Sequence, residues 1–270
     1  MRRVIPGLLI VAGWLLLLFY GPFILFWLIL TGVGGIALSE YFRMAVSREL
    51  LKEDRLRSWL WLLGLLPLLA AYSGRLAAVS AGTVISLLFF LLATLLKFSS
   101  FANAFEFMAR AGFGLLYVSY CLAHVILIRA LPHGASWLLL LTSITIASDT
   151  AAYYTGQRLG KTKLCPAISP GKTREGAIGG LIGGVLAALG MAAVIFPGSG
   201  LLKMALIALG LAALGIIGDL AESVVKRSTG VKDSGRLLAG HGGLLDRGDS
   251  FLITAPVLFY LLEFGLLTSG

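Results

Sequence analysis

Charge is scarce in this 270-residue chain: only 13% of the residues are charged, and 13 Asp and Glu stand against 22 Lys and Arg. A soluble globular domain carries roughly twice that charged fraction, so the 58% apolar content excludes this class of protein. Cysteine is also scarce, because only Cys121 and Cys165 are present and they lie far apart. A disulfide framework and a cysteine-rich metal site are therefore excluded as well.

Apolar runs long enough to cross a bilayer, about 20 residues as helix, are abundant instead. We predict an all-α polytopic membrane protein with about nine transmembrane helices. No segment is rich in strand-forming residues, so we expect the rest of the chain to be loop. The first two runs are separated only by Gly21-Pro22, so one long helix is the alternative there. The nine runs are 5–20, 22–39, 58–73, 76–96, 111–129, 135–155, 177–196, 201–225 and 250–268.

The basic residues predict which side of the membrane each loop faces. With the N-terminus inside, 19 of the 22 Lys and Arg lie inside and only Arg75, Arg129 and Lys203 lie outside. Cytoplasmic loops of membrane proteins are enriched in Lys and Arg. We therefore expect a multi-pass protein of the cell (inner) membrane with a cytoplasmic N-terminus and the C-terminus on the opposite side.

The chain is predicted to consist of two regions. Residues 1–135 would hold the N-terminal transmembrane helices and an interfacial helix over 98–108, because Phe98, Phe101, Phe105 and Met108 share one helical stripe. A loop is the alternative for that segment. Residues 136–270 would form the catalytic transmembrane region, with two basic cytoplasmic loops at 156–176 and 226–249.

Acidic residues inside the spans indicate function, because a charge in hydrocarbon is costly. Asp149 lies in the inner half of its span, where it would line a polar cavity or hydrogen-bond another helix. Asp219 is followed at helical spacing by Glu222, Ser223 and Lys226, so one helix face presents two carboxylates, a hydroxyl and an ammonium. An ion pair within the helix that lets its end snorkel is the alternative.

Both basic loops suit a polyphosphate, and the second also suits a hard divalent ion. Asp246 and Asp249 flank Arg247, and Mg²⁺ takes one or two carboxylates together with phosphate oxygens and water. The backbone of His241-Gly242-Gly243 can approach an anion closely. The first loop carries cations that contact phosphates or act as a topology signal alone: Arg158, Lys161, Lys163, Lys172 and Arg174.

These residues resemble the phosphatidate cytidylyltransferases, also called CDP-diacylglycerol synthases. The family signature, Ser-x-x-Lys-Arg, Lys-Asp, His-Gly-Gly and Asp-Arg-x-Asp, is similar to this sequence from Ser223 to Asp249, and the segment SDTAAYYTG through ISPGKTREG resembles the family too. The resemblance implies transfer of a cytidylyl group from CTP to phosphatidic acid, Mg²⁺ as cofactor with K⁺ as a candidate second ion, and a homodimer. The expected partners are CTP, phosphatidic acid and membrane lipids, with no nucleic acid.

The resemblance, together with the charges, predicts a role for each site residue. The metal ligands would be Asp219, Asp246, Asp249 and Asp149, and the catalytic residues Lys226, Asp249 and Ser223. The substrate-binding residues would be Lys172, Arg174, Arg227, Lys232, His241, Gly242, Gly243 and Arg247.

Two other functions compete with this interpretation. A CTP-dependent prenol or dolichol kinase would pass the γ-phosphate to an alcohol, and the complete Asp-Arg-x-Asp ending disfavours it. A transporter of anionic lipids or nucleotides would also use intramembrane carboxylates, but here the polar residues cluster at one surface.

Overall fold

The computed structural model describes residues 4–47, 50–235 and 243–267, and this part of the chain is mostly helical. A π-helical segment, Leu115–Tyr120, joins α6 to α7 without a break, and single 3₁₀ turns occur at Ala71–Ser73, Phe98–Ser100 and Leu245–Arg247. The helices are α1 (Val4–Phe19), α2 (Phe23–Ala45), α3 (Asp54–Gly64), α4 (Leu66–Ala70), α5 (Leu76–Leu96), α6 (Ala104–Gly114), α7 (Cys121–Ala130), α8 (Gly134–Leu159), α9 (Arg174–Ile195), α10 (Leu201–Ser228) and α11 (Asp249–Glu263).

Seven helical stretches of the described chain are long and apolar enough to cross a membrane. Each coincides with a predicted apolar run. The helices α1 and α11 are shorter, at 16 and 15 residues, than the roughly 20 residues of an upright span. The seven stretches are Phe23–Ala45, Asp54–Ser73, Leu76–Leu96, Ala104–Ala130, Gly134–Leu159, Arg174–Ile195 and Leu201–Ser228.

The stretch Ala104–Ala130 lies at the centre of the bundle: 72% of its apolar window is buried, against 22% for Arg174–Ile195. Its neighbours are tied together by side chains that donate to backbone carbonyls. Trp61 Nε1 donates to Gly35 O at 2.9 Å, and Tyr41 OH donates to Arg110 O at 2.8 Å. These bonds satisfy the polar ends of aromatic side chains that pack in an apolar bundle.

The structure does not form a single helix over 98–108, and residues 104–108 are helical as the first residues of α6. Only one 3₁₀ turn forms at Phe98–Ser100, and Phe101 is extended, buried and bridged to Leu51. The α6 helix then begins at Ala104, where the side chain of Asn103 accepts a hydrogen bond from Glu106 N at 3.1 Å. Because this N-cap starts a new helix, the aromatic stripe is interrupted between Phe101 and Phe105.

The first basic loop contains a two-stranded antiparallel hairpin, which corrects the expectation of helix and loop alone. Its strands are β1 (Lys163–Cys165) and β2 (Ser169–Thr173), and Cys165 pairs with Ser169. Each of these two paired residues precedes a proline, and a residue before proline is biased towards the extended conformation. The prolines therefore favour strands at these two positions.

The helices α8 and α9 pack closely through glycines. A Cβ at Gly183 would lie 2.5 Å from the Cβ of Ala151, and one at Gly180 would lie 3.1 Å from Ser148 O. Packing inside the chain therefore accounts for these small residues, and it holds α9 directly beside the helix that carries Asp149.

Candidate functional site

A cavity of 470 Å³ opens where the C-terminal end of α8 meets the hairpin and the start of α9. Asp149 from α8, Lys172 from β2 and Asp219 from α10 all line it. Lys172 Nζ and a carboxylate oxygen of Asp219 form an ion pair, which we call the cavity pair. Its side chains are 25% and 38% exposed, so both charges remain accessible from the cavity.

The hairpin holds Lys172 in place from both sides. Thr173 ends β2 and caps α9, because its hydroxyl accepts a hydrogen bond from Gly176 N at 3.1 Å. The carboxylate of Glu175 accepts from the amides of Lys161 and Thr162 at 3.1 and 3.2 Å. The strand that carries Lys172 is therefore continuous with the first turn of α9. That turn is hydrogen-bonded through Glu175 to Lys161 and Thr162, which follow the end of α8.

A second group of charges lies further along α10. Lys226 Nζ is 2.7 Å from Asp246 Oδ1 and 3.2 Å from Glu222 Oε1. We call Lys226 and Asp246 the loop pair. Its side chains are only 15% and 12% exposed, and the Glu222 side chain is 1% exposed. This pair is therefore largely shielded from solvent.

Asp246 accepts hydrogen bonds from the loop as well as from Lys226. Gly243 N donates to Oδ2 at 2.7 Å, and Ser234 N donates to the same oxygen at 3.1 Å. Burial alone would raise the pKa of Asp246, but the Glu222 carboxyl group, the Lys226 ammonium and the Gly243 amide hold that pKa well below its usual range. Asp246 is thus an ionised anchor for both ends of this loop.

A buried carboxylate from the N-terminal region meets the same loop. Glu40 on α2 is 4% exposed and accepts hydrogen bonds from Leu244 N at 3.1 Å and Leu245 N at 2.9 Å. Ser234 Oγ donates to Glu40 Oε2 at 3.3 Å. The site therefore includes a residue more than 190 positions away along the chain.

Asp249 lies between the two groups of charges. It is the first residue of α11, and its carboxylate interacts electrostatically with Asp149, Asp219 and Glu222. Both oxygens of Glu222 are buried without a hydrogen-bond partner among the described residues, although Lys226 lies within ion-pair distance of one of them. Glu222 therefore shares the Lys226 ammonium with Asp246.

The remaining predicted site residues lie around these groups. Arg174 is exposed at the start of α9, and Arg227 Nε donates to Ile168 O of the hairpin turn at 3.4 Å. Lys232 and Arg247 are exposed on the second loop, and Ser223 is half-buried on α10. His241 and Gly242 lie outside the described residues.

Comparison with known proteins identifies the family of this chain. A sequence profile described as the cytidylyltransferase family matches residues 1–265. The chain belongs to this family. It is 35% identical to the phosphatidate cytidylyltransferase of Bacillus subtilis over 269 residues, which is 97% of both chains. It is 42% identical to the enzymes of that name from Staphylococcus saprophyticus and Staphylococcus aureus over 161 residues, 59% of this chain and 62% of each of theirs.

No ready-made metal site is present in this cytidylyltransferase-family chain, as far as residues 4–47, 50–235 and 243–267 show. No three His, Cys, Asp or Glu side chains of this part converge as a metal-binding group would require. Mg²⁺ in nucleotide sites is held by one or two carboxylates, with phosphate oxygens and water completing its shell. The carboxylates of Asp219 and Asp249 fit that smaller donor set.

Sequence reasoning missed the contribution of Glu40. It lies one residue beyond the predicted end of the second span, so the search for acids inside spans passed over it. The signal that would have found it is a carboxylate one helical turn from Ile36 and Ala37, in an otherwise apolar segment.

Proposed function

We propose that this protein is an integral membrane CTP:phosphatidate cytidylyltransferase, which transfers CMP from CTP to phosphatidic acid and releases pyrophosphate. The product would be CDP-diacylglycerol, a precursor for phospholipid biosynthesis. The observation that carries the proposal is the cavity pair and the loop pair at one end of the bundle, in a chain that aligns along 97% of its length with a phosphatidate cytidylyltransferase.

The chemistry of this transfer matches what the site offers. The nucleophile is a phosphate oxygen of phosphatidic acid, which is already an anion, so a strong general base is unnecessary. The reaction needs two anions held in line and their charge neutralised. Lys172 can meet phosphate oxygens in the cavity, while Arg227 approaches from the last turn of α10, Lys232 from the second loop and Arg174 from the start of α9.

Within this proposal Lys226, Ser223 and Asp249 are the residues nearest to catalysis. Lys226 supplies positive charge beside the triphosphate as the bond to pyrophosphate breaks. Ser223 lies on the same face of α10 and would donate to a phosphate oxygen. The predicted contacts of Gly243 and Arg247 with substrate stay proposals, as do those of His241 and Gly242.

We propose Asp219 and Asp249 as the residues that hold Mg²⁺, with Asp149 beside them. When bound, Mg²⁺ would neutralise charge on the triphosphate. The carboxylates of Asp149, Asp219 and Asp249 interact with one another, which supports a cation in this region, and K⁺ is our candidate for a second ion. Asp246 fits a metal less well, because its two oxygens already accept from Lys226, Ser234 and Gly243.

The membrane arrangement is also proposed in its finer detail. Adding α1 and α11 to the seven long stretches gives nine spans, with a cytoplasmic N-terminus and the C-terminus on the opposite side. The distribution of Lys and Arg supports this orientation, in which residues 136–270 expose the site to the cytoplasm at the cell membrane. A homodimer is proposed from the family resemblance alone, since the α9 glycines are used by α8.

Label transfer tests the function directly. Purified protein in detergent is incubated with phosphatidic acid, Mg²⁺ and CTP labelled at the α- or the γ-phosphate, and the lipid fraction is counted. Label from the α-position alone is expected. If no label enters phosphatidic acid, the assay is repeated with a prenyl alcohol: γ-label in that lipid would establish a kinase, and no label at all would favour a transporter.

A further inference from the structure

We propose that Glu40 is a positioning residue for cytidylyl transfer: it holds residues 243–246 in place and, through Asp246, holds the Lys226 ammonium. The inference rests on the proposed function for its catalytic part and on the structure alone for the contact itself. It assigns a role in the site to the N-terminal region, whose helices otherwise contribute no charge to either pair.

The first observation is the set of donors around the Glu40 carboxylate. Three groups of the second loop point at it: the amides of Leu244 and Leu245 and the hydroxyl of Ser234. The two amides are 3.1 and 2.9 Å away, and the side chain is 4% exposed. A buried carboxylate that accepts backbone N–H groups on a loop fixes the path of that loop.

The second observation is that the loop backbone approaches the Glu40 side chain most closely at two glycines, Gly235 and Gly243. A Cβ at Gly235 would overlap the Glu40 side chain, which supplies all three of its nearest atoms. A Cβ at Gly243 would lie 2.6 Å from Glu40 Oε2. The glycines on both sides of the loop therefore permit this close approach, independently of the hydrogen bonds.

The third observation connects this contact to Lys226. Ser234 is held by two carboxylates, because its hydroxyl donates to Glu40 and its amide donates to Asp246. Gly243 N also donates to Asp246, at 2.7 Å, and Asp246 Oδ1 is 2.7 Å from Lys226 Nζ. Glu40 and Asp246 thus hold the same residues of the second loop. Of these two carboxylates, Asp246 is the one that contacts the Lys226 ammonium.

The chemistry of the contact requires a carboxylate. An ionised carboxylate only accepts hydrogen bonds, whereas a glutamine amide replaces one acceptor oxygen by an NH₂ donor. In Glu40→Gln the NH₂ group would replace one of the two oxygens. In one orientation it would face the Leu244 N–H, and in the other it would face the Leu245 N–H and the Ser234 hydroxyl. One side of the contact would open, although the volume of the side chain would stay almost the same.

The experiment compares Glu40→Gln with a matched control, Glu53→Gln. Glu53 is another carboxylate of the N-terminal region, and its partners are Lys97 and Ser100, at 3.9 and 3.4 Å. For Glu40→Gln we expect kcat for α-label transfer to fall about 10- to 100-fold, because small displacements of a reacting group have effects of this size. The KM for phosphatidic acid should stay within about twofold, and the control should resemble the wild type.

Hydrogen exchange supplies a readout that does not depend on activity. The amides of Leu244 and Leu245 should exchange about tenfold faster in Glu40→Gln than in the wild type and in Glu53→Gln. Amides within α5 should be unchanged. If Glu40→Gln fails to fold, Glu40→Asp carries the test, because it keeps the charge and withdraws the oxygens; faster exchange and a smaller loss of kcat are then expected.

Three results would count against these ideas, and they are distinguishable. Exchange at Leu244 and Leu245 that is unchanged, or kcat within about twofold of wild type, would overturn the inference while the wild type still transfers α-label. If kcat falls in both Glu40 variants only in proportion to the fraction of protein that has unfolded, the role of Glu40 is structural alone, and this result would also overturn the inference. A wild type that transfers no α-label would overturn the proposed function instead.

Discussion

The cavity pair, Lys172 and Asp219, opens onto a 470 Å³ cavity, whereas the loop pair, Lys226 and Asp246, is enclosed by backbone donors and by Glu222. An ion pair open to solvent contributes about 0–1 kcal/mol, so a ligand can separate its partners at little cost. Removing one partner of a buried pair costs about 3–5 kcal/mol. The open pair is therefore suited to exchange its partner for a ligand, whereas the enclosed pair fixes the loop and the position of the Lys226 ammonium.

The largest effect is expected from Asp219→Asn, which changes the open pair. Label transfer should fall about 10³-fold, because the substitution removes a carboxylate that we propose to hold Mg²⁺ beside the triphosphate. The thermal unfolding midpoint in detergent should stay within about 2 °C, since the pair is exposed. Glu106→Gln is the control: it breaks the exposed ion pair with Arg110 and should leave the activity unchanged. A large drop in the midpoint of Asp219→Asn would contradict the comparison.

The next effect is expected from Asp246→Asn, which changes the enclosed pair. The free energy of unfolding should fall by about 3 kcal/mol, because Lys226 loses its nearer carboxylate at a shielded position and the amides of Ser234 and Gly243 lose an ionised acceptor. Thermal unfolding in detergent measures this loss, with Asp219→Asn as the matched comparison. Equal midpoints for the two variants would mean that the two pairs do not differ in the way proposed here.

The pH dependence of stability sharpens the same contrast. The pKa of Asp246 is lowered in the folded protein, so its contribution is present above the ordinary carboxyl pKa of about 4 and is lost as the pH falls towards the lowered value. The gap in unfolding midpoint between wild type and Asp246→Asn should therefore be constant from about pH 6 to 8 and shrink below about pH 4. A gap that already closes above pH 6 would be inconsistent with an ionised anchor.

The smallest effect is expected from packing behind the open pair. Gly183→Ala should destabilise the protein by about 1–3 kcal/mol, because the new methyl group meets Ala151 and the carbonyl of Ala147. It should also raise the KM for CTP, since α9 moves together with Lys172. Gly190→Ala on the same helix is the control, because a Cβ there would meet nothing within 4 Å. Similar stability and KM for both variants would show that the close packing of α8 and α9 does not position Lys172.

The helices were largely predictable from the sequence because hydropathy decides them locally. The predicted run 76–96 coincides with α5, and 135–155 falls within α8. The single helix predicted over 98–108 does not form, because a periodic aromatic stripe does not reveal that Asn103 caps the start of a new helix. The hairpin was not predicted, because the extended bias at Cys165 and Ser169 comes from the single proline that follows each of them, and the segment is too short to show an alternating apolar pattern.

The site was predictable as far as charge and orientation reach. Placing Asp149, Lys172 and Asp219 at one end of the bundle follows from the order of the spans, and the structure brings all three to one cavity. The different environment of Asp246 could not be predicted, because it depends on backbone amides folded back over the carboxylate. The partners of Glu40 could not be predicted either, because they lie about 200 positions away and no local pattern connects them to it.

The junction between β2 and α9 restricts how the cavity can respond to a ligand. Thr173 is both the last residue of the strand and the cap of the helix, so no spare residue separates Lys172 from a helix that is locked against α8. Without a hinge there, the ammonium moves only by rotation about its own side-chain bonds, on the picosecond-to-nanosecond scale of rotamer changes. Under the proposed function, Lys172 would therefore meet only phosphates that lie within the length of its side chain from this fixed backbone position.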